Sequence, residues 1–500
     1  MRIEHGQADT AGVSSDADGP VVVYGDYTAT RGVPVWVEVD SRLDPSGGFF
    51  PVDATLDIRA TKQQARIDDY ALGKVKILGG VGGTIDVQVP DTRDSTSIDI
   101  EDGGHTAWAI TMDGNSGGIF TLGSGPHDIS ATGFAASFSG SSGYQDLSVD
   151  LYAATVHLGG SHNLIQVGDQ NSYLNGSEFQ NFLEVVTPGS FNTIVNLGDP
   201  QQFANTSGAS ITSGAYSTVS GFDDATINVG AKSFLSGSFT NVTITAGAQT
   251  VIGDLYESSV TSGAKSTFGI ISETGMTLER DCSIQKLDNY SFVDTANGLT
   301  VGTFGGDSQI KGAGIVSIVD AVQGRYDAGT SSNLVSAQKV FAQFGDADRN
   351  ASAAFAATSR GSLVTGGQGT QVATNIGPSG MTFISAASNA GGVFTAVGDG
   401  DHDTFVAHSA MTMTGGTGAS NLFDIVAGVS ARDLVTDFAA AAGNRIKLDG
   451  FNLTESGLSN ILAHATGSTA GLVLHVDSGT TLTLAGVAPG HIGNASFILG

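Results

Sequence analysis

The sequence predicts an all-β protein, a parallel β-solenoid of the β-helix or β-roll type with a β-rich N-terminal region and a C-terminal β cap. Three observations predict this fold. A short apolar motif that ends in glycine recurs every 16 or 17 residues between positions 195 and 271. Glycine makes up 71 of the 500 residues whereas proline makes up 10, which indicates many turns between short strands. The hydrophobic fraction of 40% is too high for a disordered glycine-rich chain.

The repeated motif places a β-branched residue three positions before a glycine. Such a unit is typical of a short strand that ends at a tight corner. One unit cannot bury its apolar face alone, so successive units are expected to stack as rungs. In the last four frames the glycine is followed by alanine, then a polar or aromatic residue, then serine or threonine. The five frames are Val195–Gly198, Ile211–Gly214, Ile227–Gly230, Ile244–Gly247 and Val260–Gly263.

Upstream of these frames, two pairs of the same motif are only nine residues apart. Val156 and Ile165 begin the motifs of one pair, and Val186 and Val195 begin those of the other. A half-turn of nine residues doubles to 18, which is close to the spacing of the frames. We therefore expect rungs of about 16 to 18 residues through much of the chain.

The remaining regions divide by their pattern. Residues 1–125 alternate as half-buried strands do, for example in Val33–Val39, but without a clear repeat, which predicts a β-rich N-terminal region or cap. The solenoid with 16–17-residue rungs is predicted over 126–275, followed by an irregular continuation over 276–360. Within that continuation, the Ala-, Gln- and Ser-rich segment 333–357 is compatible with a short helix.

The charge balance restricts the partners. Acidic residues number 49 and basic residues 21, for a net charge of −28. Such a chain repels nucleic acid and anionic membranes and attracts divalent cations. No run of 18 apolar residues exists, so no membrane insertion is expected. The single cysteine, Cys282, excludes an internal disulfide framework, and the first residues lack the apolar region of an ordinary signal peptide.

Three glycine-rich turns in the C-terminal third align with the nonapeptide G-G-x-G-x-D-x-U-x, in which the turn binds calcium and U fills the core. The first, Gly366–Val372, has Gln371 in place of the aspartate. The second, Gly398–Val406, keeps the aspartate as Asp403 and has Phe405 as its core residue. The third, Gly415–Phe423, has Ser420 in place of the aspartate and Leu422 as its core residue.

Segments that follow these turns match a wider pattern. Asp433–Phe438 and Gly443–Phe451 are similar to the D-x-I-x-D-F and G-D-x-I-D-L-x-G-F segments of the RTX, or haemolysin-type calcium-binding, secreted proteins, and Ala495–Gly500 is similar to their apolar last residues. Residues 360–500 thus resemble that family. The resemblance implies a degenerate β-roll over 361–430 and a cap with an uncleaved type I secretion signal over 431–500. It also implies calcium as cofactor, the type I secretion apparatus as partner, and an extracellular or cell-surface location.

The second turn contains the pattern D-x-D-x-D, which in a loop puts three carboxylates on one side around a hard cation. An isolated acidic triplet is usually a solvated turn, but the neighbouring glycine-rich turns favour calcium here. An EF-hand is excluded because Thr404 occupies the position of the required glycine. The predicted calcium-binding residues are Asp399, Asp401, Asp403, Gly398, Gly400, Gly416 and Gly418.

These patterns predict a secreted, calcium-linked structural protein of the cell surface or extracellular space: an adhesin, a matrix component or a surface-layer-like protein. The middle frames also resemble the glycine-rich repeats of bacterial surface adhesins. No catalytic residues are predicted, since G-x-S-x-G, H-E-x-x-H and the P-loop are all absent. The alternative is a polysaccharide lyase or epimerase on a β-helix scaffold, with carboxylates and a cation on neighbouring rungs. A third hypothesis is a binding module whose Thr and Asn rows dock a surface polysaccharide or another solenoid.

Overall fold

The computed structural model describes most of the chain. The described residues are 21–23, 26–29, 31, 35–40, 53–70, 73–88, 95–101, 107–112, 117–123, 125, 127–140, 145–167, 182–190, 192–196, 209–306, 308–322, 334–344, 351–387, 392–428, 431–469 and 471–500. The chain divides into two compact units, Met1–Gly253 and Asp254–Gly500. We call them unit 1 and unit 2.

Unit 1 is a parallel β-solenoid in which each rung contributes one strand to each of two sheets. The first sheet joins the odd strands from β1 to β11, and the second joins the even strands from β2 to β10. The long strands β11 and β12 turn a corner and belong to both sheets. Its strands are β1 (Val21–Val23), β2 (Tyr27–Thr28), β3 (Val35–Asp40), β4 (Ala54–Asp57), β5 (Ala65–Tyr70), β6 (Gly73–Leu78), β7 (Gly83–Val87), β8 (Ser95–Glu101), β9 (Trp108–Met112), β10 (Gly117–Leu122), β11 (His127–Gly140), β12 (Gln145–Leu158), β13 (Leu164–Val167), β14 (Phe182–Thr187), β15 (Thr193–Asn196), β16 (Ser210–Ser213), β17 (Thr218–Ser220), β18 (Thr226–Val229), β19 (Phe234–Thr240) and β20 (Thr243–Ala246). Strand β21 (Val251–Tyr256) follows.

Unit 2 repeats this arrangement, with one sheet of even strands and one of odd strands, all parallel until the end of the unit. One α-helix, α1 (Glu455–Ala463), and two 3-10 turns, Ala440–Ala442 and Asn494–Ser496, interrupt the strands. The strands are β22 (Ser259–Ser262), β23 (Thr267–Ser272), β24 (Gly275–Leu278), β25 (Cys282–Asp288), β26 (Phe292–Thr295), β27 (Leu299–Phe304), β28 (Gln309–Gly312), β29 (Ile315–Val322), β30 (Leu334–Ala337), β31 (Lys339–Phe344), β32 (Ser352–Ala357), β33 (Ser362–Thr365), β34 (Gln371–Asn375), β35 (Met381–Ile384), β36 (Phe394–Val397), β37 (Thr404–Ala407), β38 (Met411–Thr414), β39 (Leu422–Val426), β40 (Arg432–Val435), β41 (Arg445–Asp449), β42 (Thr466–Ser468), β43 (Gly471–His475), β44 (Thr481–Leu484) and β45 (Phe497–Leu499).

The strand register confirms the predicted stacking of the middle frames and corrects one of them. Ile211 pairs with Ile227, and Ile227 pairs with Ile244; all three are buried. Val195 instead pairs with Ser220 in the other sheet, and the residue stacked on Ile211 is Val185. The 16-residue spacing between the first two frames is therefore a distance across two sheets. Gly198 itself lies outside the described residues.

The nine-residue pair at Val156 is confirmed as the two halves of one rung. Val156 lies on β12 and pairs with Val185 of the second sheet, whereas Ile165 lies on β13 and pairs with Ile194 of the first sheet. All four side chains point inward and are buried. Half a rung separates two inward positions because the chain must cross from one sheet to the other.

Close contact between rungs explains the glycine at the end of each frame. A Cβ atom added to Gly214 would lie 2.2 Å from the carbonyl oxygen of Gly189, and one added to Gly247 would lie 2.4 Å from the backbone nitrogen of Ala231. These neighbours are backbone atoms that cannot move without breaking the ladder. Glycine recurs at this corner because the backbone of each rung lies directly on the next.

The polar residue after Gly-Ala adopts a left-handed conformation, which the sequence did not indicate. Tyr216, Lys232 and Gln249 have φ values of 56°, 58° and 59° in successive rungs. The backbone N–H of Tyr216 donates to Ala231 O, and that of Lys232 to Ala248 O, so the inter-rung hydrogen bonds hold this conformation. Because L-residues lose about 1 kcal/mol or more there, each such corner carries backbone strain.

Replacing Gln249 with glycine is therefore expected to stabilise the protein by roughly 0.5–1 kcal/mol, since glycine adopts this conformation without strain. Chemical denaturation of the variant and the wild type checks this. The matched control is Thr245→Gly, an exposed strand position of the same rung, which should lose roughly 0.5–1 kcal/mol. A loss of equal size in both variants would contradict the strain at Gln249.

The described N-terminal residues belong to the same parallel stack. Val35 pairs with Ala65, 30 residues later, whereas Ala65 pairs with Gly83 after 18. Unequal loops between similar strands hide the repeat in the sequence. In unit 2, the segment 333–357 contains no helix in its described residues; β30, β31 and β32 form there, and Ala353, Ala354 and Phe355 are buried. The short helix was wrong, because burial in the stack overrides the helix propensity of alanine.

Candidate functional site

The predicted calcium residues lie at one corner of unit 2, where the chain crosses from β36 to β37 and from β38 to β39. Asp403 is fully buried there. Its Oδ1 accepts hydrogen bonds from Met381 N at 2.8 Å and from Asn375 Nδ2 at 3.0 Å. Its Oδ2 has no hydrogen-bond partner among the described residues. Burial raises the pKa of Asp403 to about 6, because the charged form loses its hydration.

Asp399 and Asp401 point the other way, to the exposed surface of the corner. Asp399 Oδ1 accepts a hydrogen bond from Thr417 Oγ1 at 2.9 Å, and Asp401 Oδ1 accepts one from Ala419 N at 2.7 Å. Both donors belong to the next rung. Each exposed carboxylate therefore links its own turn directly to the following turn.

The glycines of this corner are required by the same stacking. A Cβ atom on Gly416 or on Gly418 would lie 2.0 Å from the carbonyl oxygen of Gly398 or Gly400, respectively. At Gly398 itself it would lie 2.3 Å from Asp403 Oδ2. A side chain at any of these three positions would separate the rungs or displace the buried carboxylate.

The three carboxylates of the D-x-D-x-D pattern are thus not gathered around one point, since two face out and one faces in. Among the described residues, no group of three or more His, Cys, Asp or Glu side chains is placed to hold a metal ion. The residues, as they are arranged, do not fit a calcium ion. Calcium binding at this corner stays a prediction from the sequence.

We expect calcium at about 5 mM to change the melting temperature of the chain by less than about 1 °C, because Asp399 and Asp401 already bind the next rung. Differential scanning fluorimetry with and without calcium checks this. Magnesium at the same concentration is the control for ionic strength. A calcium-specific rise of several degrees that disappears in an Asp399→Asn, Asp401→Asn double variant would contradict the expectation and support a calcium site.

The register confirms one predicted core residue and corrects the other. Phe405 is buried and stacks between Phe383 and Phe423, with ring centroids 5.4 and 5.0 Å apart. Leu422 pairs with Thr404 and is only half-buried, so Phe423 is the core residue of that turn. The nonapeptide was placed one residue too early in the third turn.

That shift also changes which residue takes the place of the aspartate. Asn421, not Ser420, follows Asp403 in the stack: Asp403 N donates to Asn421 Oδ1 at 2.9 Å. Asn421 N in turn donates to Asn444 Oδ1, also at 2.9 Å. In the first turn, Gln371 is buried and its Oε1 accepts from Gly367 N at 2.7 Å. At these corners, buried side-chain oxygens accept hydrogen bonds from backbone N–H groups.

The outer surface of unit 1 carries a cluster that sequence reasoning missed. Outward positions of β3, β5 and the segment from β7 to Gln88 form an array that we call the acidic grid. The register pairs Glu38 with Asp68 and Asp68 with Asp86, so three carboxylates lie side by side. The alternation of each strand was visible, but the register that aligns the strands depends on loop lengths. The acidic grid comprises Trp36, Glu38, Asp40, Arg66, Asp68, Tyr70, Thr84, Asp86 and Gln88.

Within the acidic grid, Asp68 holds a fixed arrangement. Trp36 Nε1 donates to Asp68 Oδ2 at 2.7 Å, and Arg66 Nε donates to Asp68 Oδ1 at 3.0 Å. The Arg66 guanidinium lies over the Trp36 ring, 4.9 Å from its centroid. Burial, followed by the charges of Asp68 and nearby acidic residues, raises the pKa of Tyr70. Because Asp68 is held by two donors, it is a structural anchor and not a free base.

Beside the acidic grid, a cavity of about 500 Å³ opens at the corner where β7, β9, β11 and β12 begin. We call it the rung pocket. Asp128 and Asp146, which pair across β11 and β12, lie on its outer side. Burial, and then the charge of Asp128, raises the pKa of Asp146. Trp108 lines the inner side; it is 1% exposed, and its Nε1 has no hydrogen-bond partner in the described part of the chain.

Comparison of the chain with models of protein families, with curated proteins and with solved structures found no match. The class of the protein therefore follows from its own geometry, which is that of a parallel β-solenoid repeat protein. In the residues that the structure describes, no helix is long and apolar enough to cross a bilayer.

Proposed function

We propose that the protein is a structural protein of the extracellular space or the cell surface, acting as an adhesin, a matrix component or a surface-layer-like element. The observation that carries this proposal is the way in which the rungs are joined. Along one corner of unit 2, Ser258 N donates to Thr274 Oγ1 at 3.2 Å, Thr274 N to Ser291 Oγ at 3.3 Å, and Ser291 N to Ser308 Oγ at 3.2 Å. This column of buried hydroxyls satisfies the backbone of each corner.

Such a stack is suited to an exposed environment. The corners are held by neutral hydrogen bonds that do not depend on redox state, and the single cysteine is buried. Neutral hydrogen bonds are also little affected by salt, in contrast with surface ion pairs. A scaffold of this kind supports function through the surface that it displays.

The displayed surface of unit 1 is rich in hydroxyl and amide groups. The second sheet presents outward pairs in register on three successive strands. Rows of short polar side chains on a parallel sheet offer many weak hydrogen bonds to a polymer that lies across the rungs. These pairs are Ser210 with Thr212, Thr226 with Asn228, and Thr243 with Thr245.

Export in this proposal uses the C-terminal segment that resembles a type I secretion signal. In the folded chain, Phe497 and Ile498 pair with Ile446 and Lys447, so the last residues become part of a rung. The secretion apparatus would read this segment before folding. Folding outside the cell would then place it in the sheet, where it adds to the stability of the stack.

The alternative, a lyase or epimerase acting on acidic polysaccharides, is disfavoured by charge. The acidic grid holds four carboxylates and one arginine, and the rung pocket adds Asp128 and Asp146. Closely spaced carboxylates repel a polyuronate and so oppose its binding. Arg66, the cation of the grid, is already bound to Asp68.

Export is the test of this proposal. The full chain is expressed in a Gram-negative host with and without a type I exporter, and the medium, the cell surface and the cytoplasm are assayed by immunoblot. We expect the chain outside the cell only when the exporter is present. The matched control replaces Ala495–Gly500 with polar residues and should stay inside. Retention of the full chain in cells that export an established type I substrate would refute the proposed route.

A further inference from the structure

We propose that the rung pocket of unit 1 binds a neutral sugar residue, and that this protein is therefore a glycan-binding protein as well as a scaffold. The volume of about 500 Å³ lies within the range of small-molecule sites, about 300–1,000 Å³. The proposal goes beyond the structural role, which does not require any pocket.

The outer side of the rung pocket offers hydrogen-bond acceptors. Asp128 and Asp146 are directly paired on neighbouring parallel strands, which lie about 4.8 Å apart. Asp128 is exposed and Asp146 is half-buried. No basic side chain of the described residues lowers the pKa of Asp146, so the pair is not neutralised by the protein. A ligand that enters here must bring donors to two carboxylates.

The inner side of the rung pocket offers a donor. The indole N–H of Trp108 is buried, and no described atom accepts its hydrogen bond. A buried donor without a partner costs about 1–3 kcal/mol, and a ligand acceptor would recover that cost. Thr84, at the mouth, adds a hydroxyl that both donates and accepts.

These groups together select one class of ligand. An ammonium or guanidinium group has donors only, so it would leave the Trp108 N–H unsatisfied. An anion would accept from the indole, but the two carboxylates would repel it. A sugar hydroxyl both donates and accepts, and neighbouring hydroxyls on one ring can serve both sides of the pocket. The small walls formed by Gly83, Ala107 and Ala109 leave room for the ring.

Trp108 provides a direct test. The chain has two tryptophans, so in a Trp36→Phe variant all tryptophan fluorescence comes from the rung pocket. The probes are neutral oligosaccharides of glucose, galactose and mannose, with oligogalacturonate as the anionic probe and a chitosan oligosaccharide as the cationic probe. We expect a saturable change with at least one neutral probe, with a Kd on the order of 0.1–1 mM.

Two sets of variants assign the binding to the pocket. Asp128→Asn with Asp146→Asn should weaken binding at least about 10-fold, whereas Asp294→Asn, an exposed carboxylate on β26, should leave it unchanged. Ala109→Leu fills the pocket from an exposed strand position and should abolish binding without unfolding the sheet. Circular dichroism verifies that each variant is folded.

Three results would overturn the proposal. The first is no fluorescence change with any neutral probe up to about 10 mM. The second is binding of the cationic probe alone, which would make the pocket a charge site. The third is undiminished binding in both the double aspartate variant and the Ala109→Leu variant. None of these results affects the export test, so the two proposals fail independently.

Discussion

Replacing Asp433 with asparagine is expected to stabilise unit 2 above neutral pH and to remove most of its pH dependence. Asp433 is 2% exposed; its Oδ1 accepts a hydrogen bond from Met411 N at 3.1 Å, and its Oδ2 has no partner among the described residues. Burial raises the pKa of its carboxyl from 3.8 to about 7. Folding therefore favours the protonated form of Asp433, and the charged form is destabilising.

The direction of the pH dependence follows from this shift. Below the unfolded pKa of 3.8, both states carry the proton, and the side chain has no charge penalty. As the pH rises from there to about 7, the unfolded chain releases its proton first, so stability falls; above about 7 the loss is constant. Three pKa units correspond to roughly 4 kcal/mol, which is the upper limit of the stabilisation expected from asparagine at about pH 8.

Thermal denaturation from about pH 4 to pH 8 measures this effect, and a rise in Tm on the order of 5–10 °C is expected for Asp433→Asn at the upper end. Asp477 is the control of opposite sign. The backbone N–H groups of Gly479 and Thr480 donate to it and lower its pKa, so Asp477→Asn should not stabilise the protein at any pH. Equal pH profiles for the wild type and Asp433→Asn would show that Asp433 is not the titrating group.

Replacing Gly247 with alanine is expected to cost about 2–4 kcal/mol, although it adds a single methyl group. The added Cβ would lie 2.4 Å from Ala231 N and 2.7 Å from Ala231 Cα, which are backbone atoms of the rung beneath. Relief would require these two rungs to separate, which would weaken the neighbouring ladder hydrogen bond from Gly247 N to Val229 O.

Gly275→Ala is the matched control, because a Cβ there would meet nothing within 4 Å. It should change stability by less than about 0.5 kcal/mol, or increase it slightly, since alanine restricts the unfolded chain. Denaturant unfolding monitored by circular dichroism compares the two variants. A Gly247→Ala variant as stable as Gly275→Ala would contradict the close stacking of backbones at this corner.

The sequence revealed the parts of the fold that depend on local pattern. Ile211, Ile227 and Ile244 recur at the rung length because each must fill the same inward position, and Phe405 was identified by the same logic. Val195 has the same spacing but pairs in the other sheet. A spacing records the distance along the chain and does not record which sheet a strand joins.

The candidate sites depend on register, which local pattern does not determine. Asp128 and Asp146 lie 18 residues apart and become neighbours only because one rung has that length here, whereas Val35 and Ala65 are neighbours across 30. The exposed Gln249 and the buried Asp403 were both visible as polar turn residues. Their opposite roles follow from which rung lies above each of them, and that information is not local.

The end of unit 2 sets a direction for growth of the stack. Strand β44 continues one sheet in parallel from β40, but its other edge is paired antiparallel with β43, and β43 with β42. A further parallel strand has no free edge to join on this side, which is how natural sheets prevent uncontrolled addition. A longer version of this unit must therefore be made by inserting whole rungs upstream of Arg432, with the antiparallel terminator kept intact.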